Sequence, residues 1–172
     1  VSAAPVRIRK AGPDDAAGVA AVLNGVIRGG SPTLLDTTFS VEEERAYIES
    51  LPARSFVHVA ETPAGDVVGF QTVIPWNTFV TTAFDHVATM GTYVDAAHRR
   101  RGVGAALARR SFAAARALGY DKVFTDLRAD NLDSLAYHLA LGFAVVGSAR
   151  GHARVRGRDV DVLFIERSLK EG

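Results

Sequence analysis

The sequence predicts an α/β domain built on a sheet of mixed strand direction, and three observations predict it. Short β-rich runs alternate with longer helix-period runs in the order β-α-α-β-β-β-α-β-α-β-β. A meander of three strands is followed by βαβ and αββ units, so antiparallel pairs and a parallel crossover share one sheet. The chain has 172 residues, 48% hydrophobic and 23% charged. That is enough for one buried core over residues 1–172, and too apolar for a disordered chain.

The elements follow in order. Residues 6–10 alternate apolar and basic side chains, which predicts a short first strand. Pro13-Asp14-Asp15 opens a helix to Arg28, since proline and acidic groups suit a helix start; Gly29-Gly30 ends it. Residues 31–39 form a loop. Ser40 and Glu43 make a capping box for a second helix that runs to Leu51. Residues 56–61 and 67–74 flank Pro63-Ala64-Gly65-Asp66 and predict a hairpin. Residues 75–84 are a loop with three aromatics, and residues 85–94 a fourth strand. A third helix spans 102–118, with an expected apolar stripe of Val103, Ala106, Leu107, Ala114, Ala117 and Leu118; Arg110 falls inside that stripe and Phe112 opposite it. Residues 122–127 are a fifth strand and 130–141 a short helix stopped by Gly142. Residues 143–149 and 160–168 are two last strands joined by an Arg/Gly-rich turn.

Charge and composition narrow the partners. The net charge of +1 argues against a nucleic-acid or membrane module that binds by charge. Residues 1–86 hold six Lys and Arg against ten Asp and Glu, and residues 87–172 fourteen against nine, so an anionic ligand belongs with the C-terminal half. No run approaches the roughly 20 apolar residues needed to span a bilayer. Residues 1–10 have no apolar signal region, and no cysteine is present, so a cytoplasmic protein without disulfides or thiolate chemistry is expected.

The segment richest in chemistry is strand–turn–helix. Tyr93-Val94 leads through Asp95 to His98 into Arg99-Arg100-Arg101-Gly102-Val103-Gly104. Glycines at a helix start let backbone approach a ligand closely, and the unpaired N–H groups there attract anions. A diphosphate or similar anion is therefore expected at residues 99–105. The segment is neither a P-loop nor a full dinucleotide fingerprint, because Leu107 stands where a third glycine would be.

Arg99-x-x-Gly102-x-Gly104 after a strand resembles the acyl-CoA motif of the GNAT superfamily of N-acetyltransferases. Asn131-x-x-Ser134-x-x-Tyr137-His138-x-x-x-Gly142-Phe143 resembles that superfamily's next helix. The element order fits along nearly the whole chain, so the resemblance implies a GNAT-like, mostly antiparallel sheet of about seven strands and about four helices. Within the superfamily the chain is similar to the phosphinothricin N-acetyltransferase-like group. His138 stands where many members have Tyr, and Gly147 to Asp161, Asn24 and the Thr37-Thr38-Phe39 loop fit the same group.

The resemblance implies acetyl-CoA as cosubstrate. Thr92, Tyr93 and Val94 would pair with its pantetheine arm through their backbone. Arg99, Arg100, Arg101, Gly102, Val103, Gly104 and Ala105 would hold its diphosphate, and Asn131 would bond it near the thiol, with Ser134 ordering that helix. A backbone N–H of the fourth strand would stabilise the thioester oxyanion. The acetyl group would pass directly to a primary amine. His138 titrates near neutrality and is the candidate acid for the leaving thiolate, with Tyr137 as rival.

The position matching the group's usual Glu on the fourth strand is Thr89, which cannot act as a base; His86 and Asp85 are the candidates instead. Substrate contacts are expected from Arg28, Thr37, Phe39, Trp76 and Phe84, with Arg28 gripping a carboxylate. The expected acceptor is a small amine, an amino acid or amino-acid-like toxin. Acetylation of a protein or peptide, and a non-catalytic acyl-CoA-binding module, are the alternatives. The loop aromatics would suit a homodimer.

Overall fold

The computed structural model describes residues 6–77 and 79–170. Residues 1–5, half of the stretch read for a signal region, and Thr78 in the aromatic loop lie outside the described residues. Among those described, the order is β1 (Arg7–Lys10), a 3-10 turn (Pro13–Asp15), α1 (Ala16–Arg28), α2 (Val41–Glu49), β2 (Phe56–Glu61), β3 (Val67–Pro75), β4 (Val87–Val94), a second 3-10 turn (Ala96–His98), α3 (Val103–Ala117), β5 (Lys122–Arg128), α4 (Leu132–Ala140), β6 (Ala144–Val155) and β7 (Arg158–Ser168). No helix among the described residues is long and apolar enough to cross a membrane.

The seven strands form one sheet in the order β1-β2-β3-β4-β5-β7-β6. Every neighbouring pair is antiparallel except β4 and β5, which run parallel. That single parallel pair matches at only two positions, Val87 with Lys122 and Ala88 with Val123. Beyond Ala88 the two strands part, and a wedge opens in the middle of the sheet. Thr125 spans its narrow end by donating its hydroxyl to the Met90 carbonyl at 3.0 Å.

Alternation of side chains divides the two faces. On one face Ala88, Met90, Val123, Leu127 and Ile165 pack with Ala108, Phe112 and Ala115 of α3 and with Phe143 after α4. On the other, Val57, Val59, Phe70 and Tyr93 pack with Val19, Val22, Leu23 and Ile27 of α1 and Ile48 of α2. The capping box forms as expected: the Ser40 hydroxyl accepts from Glu43 N and the Glu43 carboxylate from Ser40 N.

Three local expectations are corrected. The first helix starts as a 3-10 turn at Pro13, which is closed by Asp15 accepting from Gly12 N and is tied to β1 by Arg9. The face that α3 buries is Val103, Leu107, Ala108, Ser111, Phe112 and Ala115, in place of the expected stripe. A helix this rich in alanine has a weak pattern. Its rotation is set by burying Phe112 and by the Ser111 hydroxyl, which meets His58 Nδ1 at 2.9 Å inside the core. The Arg/Gly-rich stretch is mostly strand: β6 and β7 extend to Val155 and Arg158, so that only Arg156-Gly157 turns the chain. Both turn residues have positive φ, 49° and 76°, as a two-residue hairpin with matched twist requires. Gly151 marks a register shift, and its N–H is taken by Asp161.

Candidate functional site

The wedge is the feature around which the chemistry gathers. The hydrogen bonds Trp76 N to Val87 O and Asp95 N to Val68 O fix which β4 groups face β3. With the β3–β4 register, Thr89, Gly91 and Tyr93 direct their backbone groups to β3. Met90, Thr92 and Val94 therefore present theirs to the wedge, beyond the last β5 pair. Tyr93, expected to pair with a ligand, is thus committed to β3. Its side chain stacks on Phe70 at 5.0 Å, and burial pushes its hydroxyl up to about 12.

At the wide end of the wedge the chain turns into α3. Arg100 and Gly102 take positive φ, 59° and 80°. Among the described residues, none of the backbone N–H groups of residues 100–105 has a hydrogen-bond partner. Six successive donors at a helix N-terminus make a strong anion cradle. Gly102 is needed for its left-handed conformation. Gly104 is needed for a different reason from the one expected: a Cβ there would lie 2.9 Å from Cε2 of Tyr137, and the Tyr137 hydroxyl donates to Gly104 O at 3.0 Å. Arg100 and Arg101 are exposed beside the cradle, whereas Arg99 turns away to bond Val94 O and Ser31 Oγ.

Helix α4 lies beside this cradle. Asn131 caps it, its Oδ1 accepting from Ser134 N, and its Nδ2 donates to Pro32 O. Asn131 thereby ties the 31–39 loop to the wedge. His138 is 7% exposed, edge-on to Phe143, and its Nδ1 lies 2.7 Å from Ser134 O. A carbonyl only accepts, so Nδ1 carries the hydrogen. Burial lowers the imidazole's pKa, the Ser134 carbonyl partly opposing it. His138 is therefore neutral near pH 7, with an acceptor lone pair on Nε2. This geometry departs from the expected acid, which would have to be charged before it could donate. Gln71, missed in the sequence, lies fully buried against Thr92: Nε2 donates to Thr92 Oγ1 at 2.7 Å, while Oε1 has no partner among the described residues. A lone glutamine in a β-rich run gives no signal of this.

The base candidates separate from the wedge. Asp85 and His86 precede β4 at the closed end, where His86 O accepts from Asp121 N and Lys122 N. His86 lines a 280 Å3 depression with Asp121, Lys122 and Glu166, three or more residues short of the opening. The substrate candidates divide likewise. Trp76 and Phe84 pack edge to face at 5.1 Å, and Trp76 meets Phe124 in the same way at 5.6 Å. Phe39 packs between α1 and α2, its backbone held by Asn24. Arg28 and Thr37 are exposed on the surface.

A cavity of about 390 Å3 instead lies between the end of α1, the 30–35 segment and the β6–β7 hairpin. Its cations are Arg128, Arg156 and Arg158. Arg156 donates to Ile27 O and so pins the hairpin to α1, and Arg128 is paired with Asp130. Among the described residues Arg158 has no such partner.

Residues 29–143 match the family model described as acetyltransferase (GNAT) family. A relative named L-methionine sulfoximine/L-methionine sulfone acetyltransferase, from Pseudomonas aeruginosa, is 25% identical over 163 residues, 94% of each chain. The yncA protein of Salmonella typhimurium, solved with its cofactor acetyl-CoA, superposes with a TM-score of 0.87 at 25% identity, over 98% of this chain and 96% of that one. A phosphinothricin acetyltransferase of Sinorhizobium meliloti, solved with AcCoA, shares the fold with a TM-score of 0.86 at 24% identity, over 97% and 90% of the chains. With the wedge, the αL glycine and the donor cradle all inside the matched span, the chain belongs to the acetyltransferase (GNAT) family.

Proposed function

We propose that the protein transfers the acetyl group of acetyl-CoA to the primary amine of a small amino-acid-like molecule. The observation that carries this reading is the arginine-lined cavity of about 390 Å3 beside the wedge. Its size suits a small molecule, and the Arg158 guanidinium on its lining, without an ion-pair partner among the described residues, suits a carboxylate. The names of the methionine sulfoximine and phosphinothricin enzymes support the same class.

The chain's own groups supply the rest. Residues 100–105 fit a diphosphate through backbone donors, with Arg100 and Arg101 adding charge. The N–H and C=O groups of Thr92 and the N–H of Val94 fit an amide-bearing arm laid along β4; Val94 O is already taken by Arg99. The Met90 N–H, at the narrow end of the wedge, is placed to receive negative charge developing on the acetyl oxygen. Neutral His138 beyond it can take a proton or orient a water through Nε2.

Thiol release from acetyl-CoA, measured with amino acids, methionine sulfoximine, phosphinothricin, polyamines and short peptides, tests the reading. Release confined to carboxylate-bearing small amines is expected; release with peptides alone, or with no amine, overturns it. Arg158→Ala is expected to raise KM for such an amine by roughly 10- to 100-fold, the scale of one charged hydrogen bond, with little change in kcat. An unchanged KM would remove Arg158 from the acceptor site.

The reading extends to a cytoplasmic homodimer, since acetyl-CoA is an intracellular metabolite and Trp76, Phe79, Val80 and Phe84 leave apolar surface exposed. Sedimentation should then give twice the chain mass of 18.3 kDa; a monomer mass at micromolar concentration would contradict it.

A further inference from the structure

We propose that Asp126 on β5 is the general base that removes a proton from the acceptor's ammonium group. The inference rests on the acetyl-transfer reading above and goes beyond it by naming the group that makes the amine nucleophilic.

Val123 and Leu127 point into the core beneath α3, so by alternation Phe124, Asp126 and Arg128 point to the opposite face. Phe124 confirms this by stacking on Phe164 and meeting Trp76. The residue before Asp126 is Thr125, whose hydroxyl is bonded to Met90 O. That bond sets Asp126 at the lip of the wedge, beside the unpaired β4 groups. Two residues further along the same strand face, about 7 Å away, Arg128 lines the arginine cavity. An α-amino acid whose carboxylate enters that cavity presents its amine toward Asp126.

Among the described residues, the Asp126 carboxylate has no side-chain hydrogen bond and no ion pair. The neighbouring acidic groups are placed differently. Glu44 of α2 is 6% exposed beneath its helix, and Asp85 sits at the closed end of the wedge. The Tyr93 hydroxyl is too weak an acid to be an anion near pH 7, and Thr89 cannot ionise. Asp126 keeps exposed surface, yet the protein around it withdraws enough water to push its carboxyl above the ordinary range, against an opposing pull from His152. A carboxylate moved toward neutrality is better matched to accepting a proton at pH 7.

The groups facing it are His152 of β6 and Tyr93 of β4. Lys122 and Arg128 of its own strand are occupied by Glu166 and Asp130. Its register partner on β7, Phe164, does not titrate. Glu44 and Tyr47 of α2 act on Tyr93.

One Asp126 oxygen accepts a proton from R–NH3+. The freed lone pair forms the C–N bond at the acetyl carbonyl carbon. The C–S bond breaks, its electron pair leaves on sulfur, and sulfur takes a second proton from nitrogen. Asp126 returns its proton to water. An ammonium ion and a thioester thus give an amide, a thiol and one proton.

Asp126→Asn in the full chain tests this, with kcat/KM for an active amine followed from about pH 6 to pH 10. Near neutrality a fall of roughly 100- to 1000-fold is expected, shrinking in alkali as solvent supplies free amine. Acetyl-CoA affinity and melting temperature should match the wild type, and Asp126→Glu should recover part of the rate. A variant within about threefold of the wild type, with the same pH profile, overturns the proposal and leaves the acetyl-transfer reading intact. A loss matched by equal losses of acetyl-CoA affinity and thermal stability also overturns it. A wild type that acetylates no amine overturns both.

Discussion

Gly104→Val is expected to lower acetyl-CoA affinity by at least about tenfold and to destabilise the protein by about 2–3 kcal/mol. A Cβ at 104 would stand 2.9 Å from Tyr137 Cε2 and 3.4 Å from Cζ. The ring cannot simply swing aside, because its hydroxyl donates to the carbonyl of the same Gly104. Relief must therefore move α4 away from the first turn of α3, and that turn carries the donor cradle. Valine's modest gain in helix propensity over glycine, well under 1 kcal/mol, does not offset this. The variant should melt several degrees lower, given a shift of about 2–4 °C per kcal/mol at this chain length. Replacing Tyr137 by Leu in the same chain removes the obstructing ring edge and should restore affinity beyond the sum of the single effects. Wild-type affinity and melting temperature in Gly104→Val would show that the packing of α3 on α4 does not set the cradle.

The second large effect is a loss of stability in mild acid through His58. Its ring is 4% exposed between the sheet and α3, with Nδ1 on the Ser111 hydroxyl. Burial, then the charges of Arg110 and Lys10, lower its pKa from 6.5 to about 4. Because the folded-state value is the depressed one, the unfolded chain binds the proton first. The contribution is complete above about pH 6.5 and is lost as the pH falls toward 4. A shift of this size is worth about 3 kcal/mol over that window. Glu44, whose carboxyl is pushed up by burial, works in the opposite sense. Urea unfolding at several pH values should therefore be read as the difference between the wild type and His58→Gln. That variant keeps a polar partner for Ser111 and cannot titrate. Equal pH slopes in the two chains would refute the assignment.

Much of this architecture was legible in the sequence because local signals carried it. The order of strands and helices, the Ser40–Glu43 cap and the glycines at 102 and 104 each follow from short-range rules. The unpaired donors at residues 100–105 follow likewise, since any helix start leaves its first N–H groups without partners. Long-range facts did not show. The rotation of α3 depends on His58, 53 residues away in the chain, receiving Ser111. The arginines of the last hairpin read only as an Arg/Gly-rich turn, because nothing local says that Arg156 reaches Ile27 and closes a cavity. Asp126 carries no local signal, because its neighbours in sequence are those of an ordinary strand. Only the parting of β4 from β5 puts it at an opening. The distinction between backbone groups turned to β3 and those turned to the wedge needs the register, which a sequence does not state.

The two-rung junction between β4 and β5 has a thermodynamic consequence. Four strands on one side and three on the other share a sheet in name, but beyond Ala88 no ladder joins them. A ligand that lays amide groups along β4 adds a strand segment of foreign covalent origin and supplies rungs where the polypeptide has none. Binding and sheet cohesion then draw on the same free energy. At a ligand concentration one hundred times its Kd the folded state gains about 2.7 kcal/mol, delivered at the seam where the fold is least tied together.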